Sequence, residues 1–220
     1  MKTIRIHSSG DNLPVGKILC LGRNYAEHAR EMQSNIPTTP ILFLKPPSAL
    51  IHNGEAIMLP KISQHVHHEV ELVVAIGKIG KFIPSTEAYS HVLGYGIGLD
   101  MTLRDVQDVA KKNGSPWSVA KGFDTSAPVS DIVPAARIQD PRALTITCKV
   151  NGIIRQQCST GEMIFTIDKI IEYISSIFTL ETGDLIFTGT PSGVGEVRSG
   201  DTIEAELVGY EKITHPVRSA

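Results

Sequence analysis

Apolar residues recurring with period two dominate the chain and predict strands at residues 17–21, 41–44, 69–76, 144–150, 153–157, 184–188 and 202–207. The last run alternates most cleanly: Ile203, Ala205 and Leu207 share one face, and Thr202, Glu204 and Glu206 share the other. Asn151-Gly152, between two β-rich runs, predicts a type I′ hairpin, because both central positions of that turn need positive φ. Helical spacing is clearest at 166–178, where Ile167, Ile170, Ile171, Ile174 and Ile177 fall on one face and Thr166 stands in capping position. Shorter helices are predicted at 103–112, 86–93 and 25–33, the last polar and with few apolar anchors. Strands and helices do not alternate regularly. That argues against a doubly wound parallel sheet and for a mostly β architecture with flanking helices, of the α+β class. With no linker or repeat, residues 1–220 read as a single catalytic domain, in which 1–16 form a short N-terminal strand or appendage to a core from about 17 onward.

Composition changes this picture little. Hydrophobic residues make up 41% and charged residues 20%, as in an ordinary globular protein. A net charge of −2 gives no electrostatic case for nucleic acid or an anionic membrane. No apolar run approaches the roughly 20 residues of a membrane span, and the start, MKTIRIHSSG, has no apolar core of signal-peptide length. Cys20, Cys148 and Cys158 are odd in number and lack CxxC spacing, so reduced thiols in a cytoplasmic setting are expected.

The candidate chemistry lies at the ends of strands. Glu69 and Glu71 are two apart in an expected strand, so their carboxylates share a face just where the strand turns fully apolar. Like charges at the mouth of a core repel unless a cation sits between them. Asp100, closing the glycine-rich run Gly94–Asp100, offers a third oxygen. Three carboxylates without a cysteine suit Mg2+ or Mn2+ better than Zn2+. On spacing alone, two solvated surface glutamates are the commoner explanation. His28 and Glu31, three apart on a helix, form a histidine oriented by a carboxylate, which suits a water-activating base; an ordinary polar helix face has the same look. Lys121 has apolar neighbours on both sides, as either a half-buried ammonium facing an anion or a lysine laying its stem on apolar surface. The segment from Asp184 to Gly195 runs from a strand into a glycine-rich turn in which backbone N–H groups and the Thr190 hydroxyl can meet a carboxylate.

Taken in order, the stretches LGRNYAEHAREM, ILFLKP, HHEVEL, LDMTLRDVQ, PWSVAKGFD, VNGIIRQ, MIF and GDLIFTGTPSGVG resemble the fumarylacetoacetate hydrolase family, most closely its short acylpyruvase and oxaloacetate decarboxylase branch. The resemblance implies a mixed β-roll of the family's C-terminal domain type, usually a homodimer. It implies Mg2+ or Mn2+ on Glu69, Glu71 and Asp100, a water-activating pair in His28 and Glu31, and a catalytic lysine in Lys121. Arg104, Gln107 and Thr190 match positions near the bound acid. The implied activity is metal-dependent hydrolysis of acylpyruvate-type β-diketo acids to pyruvate and a carboxylic acid, with decarboxylation of oxaloacetate beside it. The implied rivals are an isomerase or tautomerase of a 2-oxo or 2-hydroxy-dienoic diacid and, more remotely, a metal-binding β module without catalysis. Lys121, not being a ligand, is expected to leave metal affinity nearly unchanged when removed.

Overall fold

Two mixed β-sheets packed face to face carry the rest of the molecule. The structure, a computed structural model, describes residues 1–7, 9–31 and 35–220. The larger sheet has six strands in the order Val133–Pro134, Val92–Leu99, Val70–Ile76, Leu185–Phe187, Ile18–Gly22, Ile41–Lys45. Its pairs are antiparallel except for Leu185–Phe187 beside Ile18–Gly22. The second sheet runs Ile153–Ser159, Thr145–Val150, Thr202–Leu207, Glu211–Ser219, Ile57–Leu59. Among the described residues four α-helices flank them: α1 (Ala26–Glu31), α2 (Arg104–Asn113), α3 (Ser118–Lys121) and α4 (Ile167–Ile177). None of the helices described is long and apolar enough to cross a membrane.

The strand Val70–Ile76 is buried at every position because the large sheet is covered on both faces. Leu72, Val74 and Ile76 join one core with Ile146, Cys148, Ile203, Ala205 and the α4 residues Ile170, Ile171 and Ile174. Val73 and Ala75 alternate to the opposite face and join a second core with Ile18, Cys20, Leu50, Ala127 and Phe187. The neighbouring strand Val92–Leu99 uses glycine for close approach. A Cβ on Gly94 would lie 2.1 Å from the Val133 carbonyl oxygen, and one on Gly98 would lie 2.7 Å from a Val73 methyl and 2.8 Å from the Phe187 ring. The period of two in Gly94, Gly96 and Gly98 is therefore a packing requirement of one face of that strand.

Most predicted elements are present, with boundaries shifted by a residue or two. The Asn151-Gly152 turn has φ of 52° and 78°, as a type I′ hairpin requires. Thr202–Leu207 alternates in burial at each step. Three readings need correction. The strand predicted at 69–76 starts at Val70, because Glu69 sits in a break between Val66–His68, which joins a separate three-stranded sheet, and Val70–Ile76 in the large one. Residues 86–93 form a 3-10 turn, Ser85–His91, that feeds directly into the strand Val92–Leu99, because sheet pairing claims Val92 and Leu93. Thr166 caps α4 by position but its side chain makes no capping hydrogen bond, and Ile177 at the far end is 49% exposed. The helix predicted at 25–33 is observed as α1; Met32 and Gln33 lie outside the described residues.

A fully buried asparagine ties α1 to the sheet. Asn24 Nδ2 donates to the carbonyls of Thr188 (2.8 Å) and Phe165 (3.0 Å), and its Oδ1 accepts from the Phe165 N–H (2.7 Å). A Cβ on Gly189 would come within 2.6 Å of Asn24 Cβ, so glycine there leaves room for the tie. Just before it, Arg23 is held at φ 60°, a left-handed conformation that costs a non-glycine residue roughly 1 kcal/mol. Asn24→Ala strands several buried polar groups and should lower stability by roughly 2–3 kcal/mol. Denaturant unfolding at neutral pH measures this. A loss well under 1 kcal/mol would mean that the tie is not what holds this loop.

Candidate active site

The antiparallel register of Val70–Ile76 with Val92–Leu99 assembles the site. Val70 faces Leu99 and Glu71 faces Gly98, so the two residues just beyond, Glu69 and Asp100, come opposite each other. The Asp100 N–H donates to the Glu69 carbonyl at 2.8 Å and fixes that alignment. Glu69, Glu71 and Asp100 are all buried, and one oxygen from each lies within 4.8 Å of the others. Like charges this close repel by about 3 kcal/mol per pair even at an effective dielectric of about 20.

Three buried bases answer the acids. Lys121 Nζ, at the end of α3, donates to Glu69 Oε2 (2.8 Å), Asp100 Oδ2 (2.6 Å) and Thr102 Oγ1 (2.6 Å). Arg104, first residue of α2, pairs through Nη2 with Glu69 Oε1 and donates through Nη1 to Gln107 Oε1 (2.6 Å). Lys45 donates to the carbonyls of Met101 (3.2 Å) and Lys121 and lies 2.8 Å from Asp100 Oδ1. That last contact is an ion pair without hydrogen-bond alignment, so Asp100 Oδ1 is a buried acceptor with no hydrogen bond. Glu71 accepts a backbone bond from Gly189 (2.7 Å) but has no ion pair among the described residues.

Electrostatics follow from this division. Burial pushes the Glu69 carboxyl up, but Lys121 and Arg104 outweigh it and hold Glu69 well below the usual carboxylate range. Burial, then the charges of Asp100 and Glu69, push Glu71 well above that range. Burial pushes the Lys121 ammonium down, and Asp100 and Glu69 more than reverse this, so Lys121 stays charged. His67 is pushed down to about 4, by burial and then by Arg104, and is neutral at pH 7. The donor set is hard, all oxygen, and includes a buried carboxylate oxygen without a hydrogen bond beside a carboxyl that burial and two neighbouring acids push well above the usual range. Those are the properties of residues fit to hold a divalent cation such as Mg2+ or Mn2+.

The other expected residues gather around the same cleft, which is lined by His28, Glu69, Glu71, Arg104, Gln107, Lys121 and Thr190 among others. His28 is buried on α1, and its Nδ1 lies 3.2 Å from Glu31 Oε2. Glu31 is partly exposed and is fixed by the Gly193 N–H, 3.1 and 3.2 Å from its two oxygens. With Nδ1 engaged, Nε2 is the ring nitrogen left for proton transfer. Gln107 keeps its amide N–H groups to donate. Thr190 is less available than expected: its hydroxyl donates to the Val70 carbonyl (2.9 Å) and accepts from Gln156 Nε2 (2.8 Å). Lys121 bonds two of the three acids, Glu69 and Asp100, so an ion held by them would compete for contacts that the ammonium makes. Lys45 and Thr102 escaped the sequence reading altogether. The only signal for Lys45 is a lysine directly following the apolar strand residues 41–44.

Comparison with known proteins gives the family. Residues 17–218 match the model of the fumarylacetoacetate (FAA) hydrolase C-terminal family. Oxaloacetate tautomerase FAHD1, mitochondrial, of Mus musculus is 49% identical over 201 residues, which cover 91% of this chain and 91% of that protein. The crystal structure of fumarylpyruvate hydrolase from Pseudomonas aeruginosa in complex with Mn2+ and pyruvate has a TM-score of 0.94 at 38% identity, covering 99% of this chain and 96% of that one. The 2-hydroxyhepta-2,4-diene-1,7-dioate isomerase from Mycobacterium marinum has a TM-score of 0.82 at 37% identity, covering 93% of this chain and 75% of that one. With its mixed β-sheets and buried acidic triad, the chain belongs to the fumarylacetoacetate hydrolase family of enzymes.

Proposed function

We propose that the chain is a Mg2+- or Mn2+-dependent enzyme that hydrolyses the C–C bond of acylpyruvate-type β-diketo acids to pyruvate and a carboxylic acid, and that it also decarboxylates oxaloacetate. The observation that carries this reading is the His28–Glu31 pair at the rim of a buried triad of carboxylates. Glu69, Glu71 and Asp100 would hold the ion, which when bound supplies Lewis-acid polarisation of a 2-oxo group. Three acids face three bases, so a divalent ion leaves the loaded site with net positive charge, and an anionic substrate offsets it. Arg104 and the Gln107 amide donate to the carboxylate of the acid. His28, with Nδ1 turned to Glu31, takes a proton from water at Nε2; the hydroxide adds to the distal carbonyl, the bond from that carbon to the pyruvate carbon breaks, and the proton passes to the pyruvate carbon that leaves. Lys121 offsets the negative charge that grows as the bond breaks.

A second reading, isomerisation or tautomerisation of a related diacid, is favoured by the names of two relatives, an oxaloacetate tautomerase and a dienoic dioate isomerase. Proton transfer needs the same polarised oxo group and no attacking water. A substrate panel with Mn2+, and with a chelator as control, separates the readings when pyruvate, CO2 and isomer are read separately. Hydrolysis of an acylpyruvate should dominate and should fall by about 100-fold or more in His28→Ala, the scale of a lost general base. Decarboxylation should fall less, since no water attacks. Isomer formation without pyruvate release would favour the second reading.

The proposal includes a homodimer. The strand Ile41–Lys45 ends its sheet with one side unpaired, and Leu44 and Val119 stand exposed beside the groove lined by residues 41–44 and 115–118. Sedimentation should give a species near twice the 23.9 kDa chain mass at micromolar concentration. A single species at the chain mass would contradict it.

A further inference from the structure

The stretch VNGIIRQ takes no part in lining the cleft, yet its last residue, Gln156, is 1% exposed on a strand whose neighbouring residues Ile154, Arg155 and Gln157 face solvent. A β-bulge turns it inward. Cys148 faces Gln156 and the next residue, Lys149, faces Ile154, so Arg155 has no opposite number, and the extra residue re-aims the side chain beside it. The buried amide makes four hydrogen bonds. Oε1 accepts from the Val70 N–H (3.1 Å) and from His68 Nδ1 (3.0 Å), and Nε2 donates to Thr190 Oγ1 (2.8 Å) and to the Pro191 carbonyl (2.9 Å). That orientation of the amide is fixed, because a backbone N–H can only donate and a proline carbonyl can only accept.

These bonds join two parts of the site. On one side are His68 and Val70, the residues before and after Glu69 at the strand break. On the other is the glycine-rich turn after Leu185–Phe187, where Thr190 closes a ring of bonds by donating to the Val70 carbonyl (2.9 Å). The turn holds one acid at each end: the Gly189 N–H donates to Glu71, and the Gly193 N–H donates to Glu31. Gln156 grips it between the two. Gly193 also packs on the bulge, where a Cβ would lie 2.1 Å from the Arg155 carbonyl oxygen and 3.3 Å from Gln156 Cγ.

We propose that Gln156 is a positioning residue for the proton-transfer pair: it fixes the turn from Gly189 to Gly193, and with it the place of Glu31 and His28 relative to the triad. The proposal rests on the reading of His28 and Glu31 as that pair. Gln156 touches no substrate and moves no proton. Its effect passes from the amide to Thr190 and Pro191, along the turn to the Gly193 N–H, and from there to Glu31 and His28. Glu31 is partly exposed and lies on a short helix, so a fixed Gly193 is what keeps its carboxylate on His28 Nδ1. A small displacement of a proton-transfer group lowers the rate without removing the group.

A mutant cycle at saturating Mn2+ tests this. Gln156→Met keeps the length of the side chain and removes its four bonds. Hydrogen exchange of residues 189–195 should become about tenfold faster, and acylpyruvate hydrolysis should slow by about tenfold. In a His28→Ala background the same substitution should change hydrolysis by less than about twofold, because the group that Gln156 positions is gone. Loss by the same factor with and without His28 would mark a general structural role and overturn the proposal, as would unchanged exchange at 189–195 in Gln156→Met. Should Gln156→Met not fold, Gln156→Glu carries the same cycle: it keeps an oxygen toward Val70 and gives up the amide donations to the turn. If the loaded wild type releases no pyruvate, the hydrolytic reading falls, and the exchange measurement alone decides whether Gln156 holds the turn.

Discussion

Three carboxylates enclosed within 4.8 Å of one another are the constraint on which the rest of this structure turns. Water cannot screen them, and each pair repels by an amount comparable to a large part of a domain's net stability. The fold answers with charge. Lys45, Lys121 and Arg104 come from an edge strand, a one-turn helix and the first position of a longer helix, and they converge on Glu69 and Asp100. Glu71, which has no ion pair among the described residues, is pushed well above the usual carboxylate range by burial and by Asp100 and Glu69. Such an arrangement is compensated but not saturated, which leaves it fit for a further cation.

The same cleft carries further positive charge in Arg23 and Lys111. The rings of Phe43 and Trp117 lie between Lys121 and Lys111. His28 and Glu31 enter from a short helix that the Asn24 hydrogen bonds tie to the sheet, with Tyr25 and Ala29 buried beside them.

Much of the fold was legible in the chain because sheet burial leaves a period of two, as in Thr202–Leu207, and because the Asn151-Gly152 turn demands positive φ. The acids were legible as a set only with the family resemblance, since spacing alone could not tell Glu69 and Glu71 from solvated residues. The strand break at Glu69 was not legible: it arises from a change of sheet, and local propensity carries no record of which sheet a strand joins. Lys45 was missed for a related reason. A lysine after an apolar strand has many solvated counterparts, and only the tertiary approach of Asp100 makes it a buried ion-pair partner. Arg23 left even less trace, because a non-glycine residue in the left-handed region has no signature in a single sequence.

The Lys121 ammonium occupies contacts between Glu69 and Asp100 that a divalent ion held there would compete for. Calorimetric titration of Mn2+ into metal-free wild type, Glu71→Gln and Lys121→Met tests it without relying on turnover. One ion per chain should bind the wild type, and Glu71→Gln should bind at least about tenfold more weakly for loss of an anionic oxygen. Lys121→Met should bind more tightly, because no ammonium has to be displaced. Affinity in Lys121→Met equal to or below that of the wild type, with Glu71→Gln unimpaired, would contradict the account at its centre.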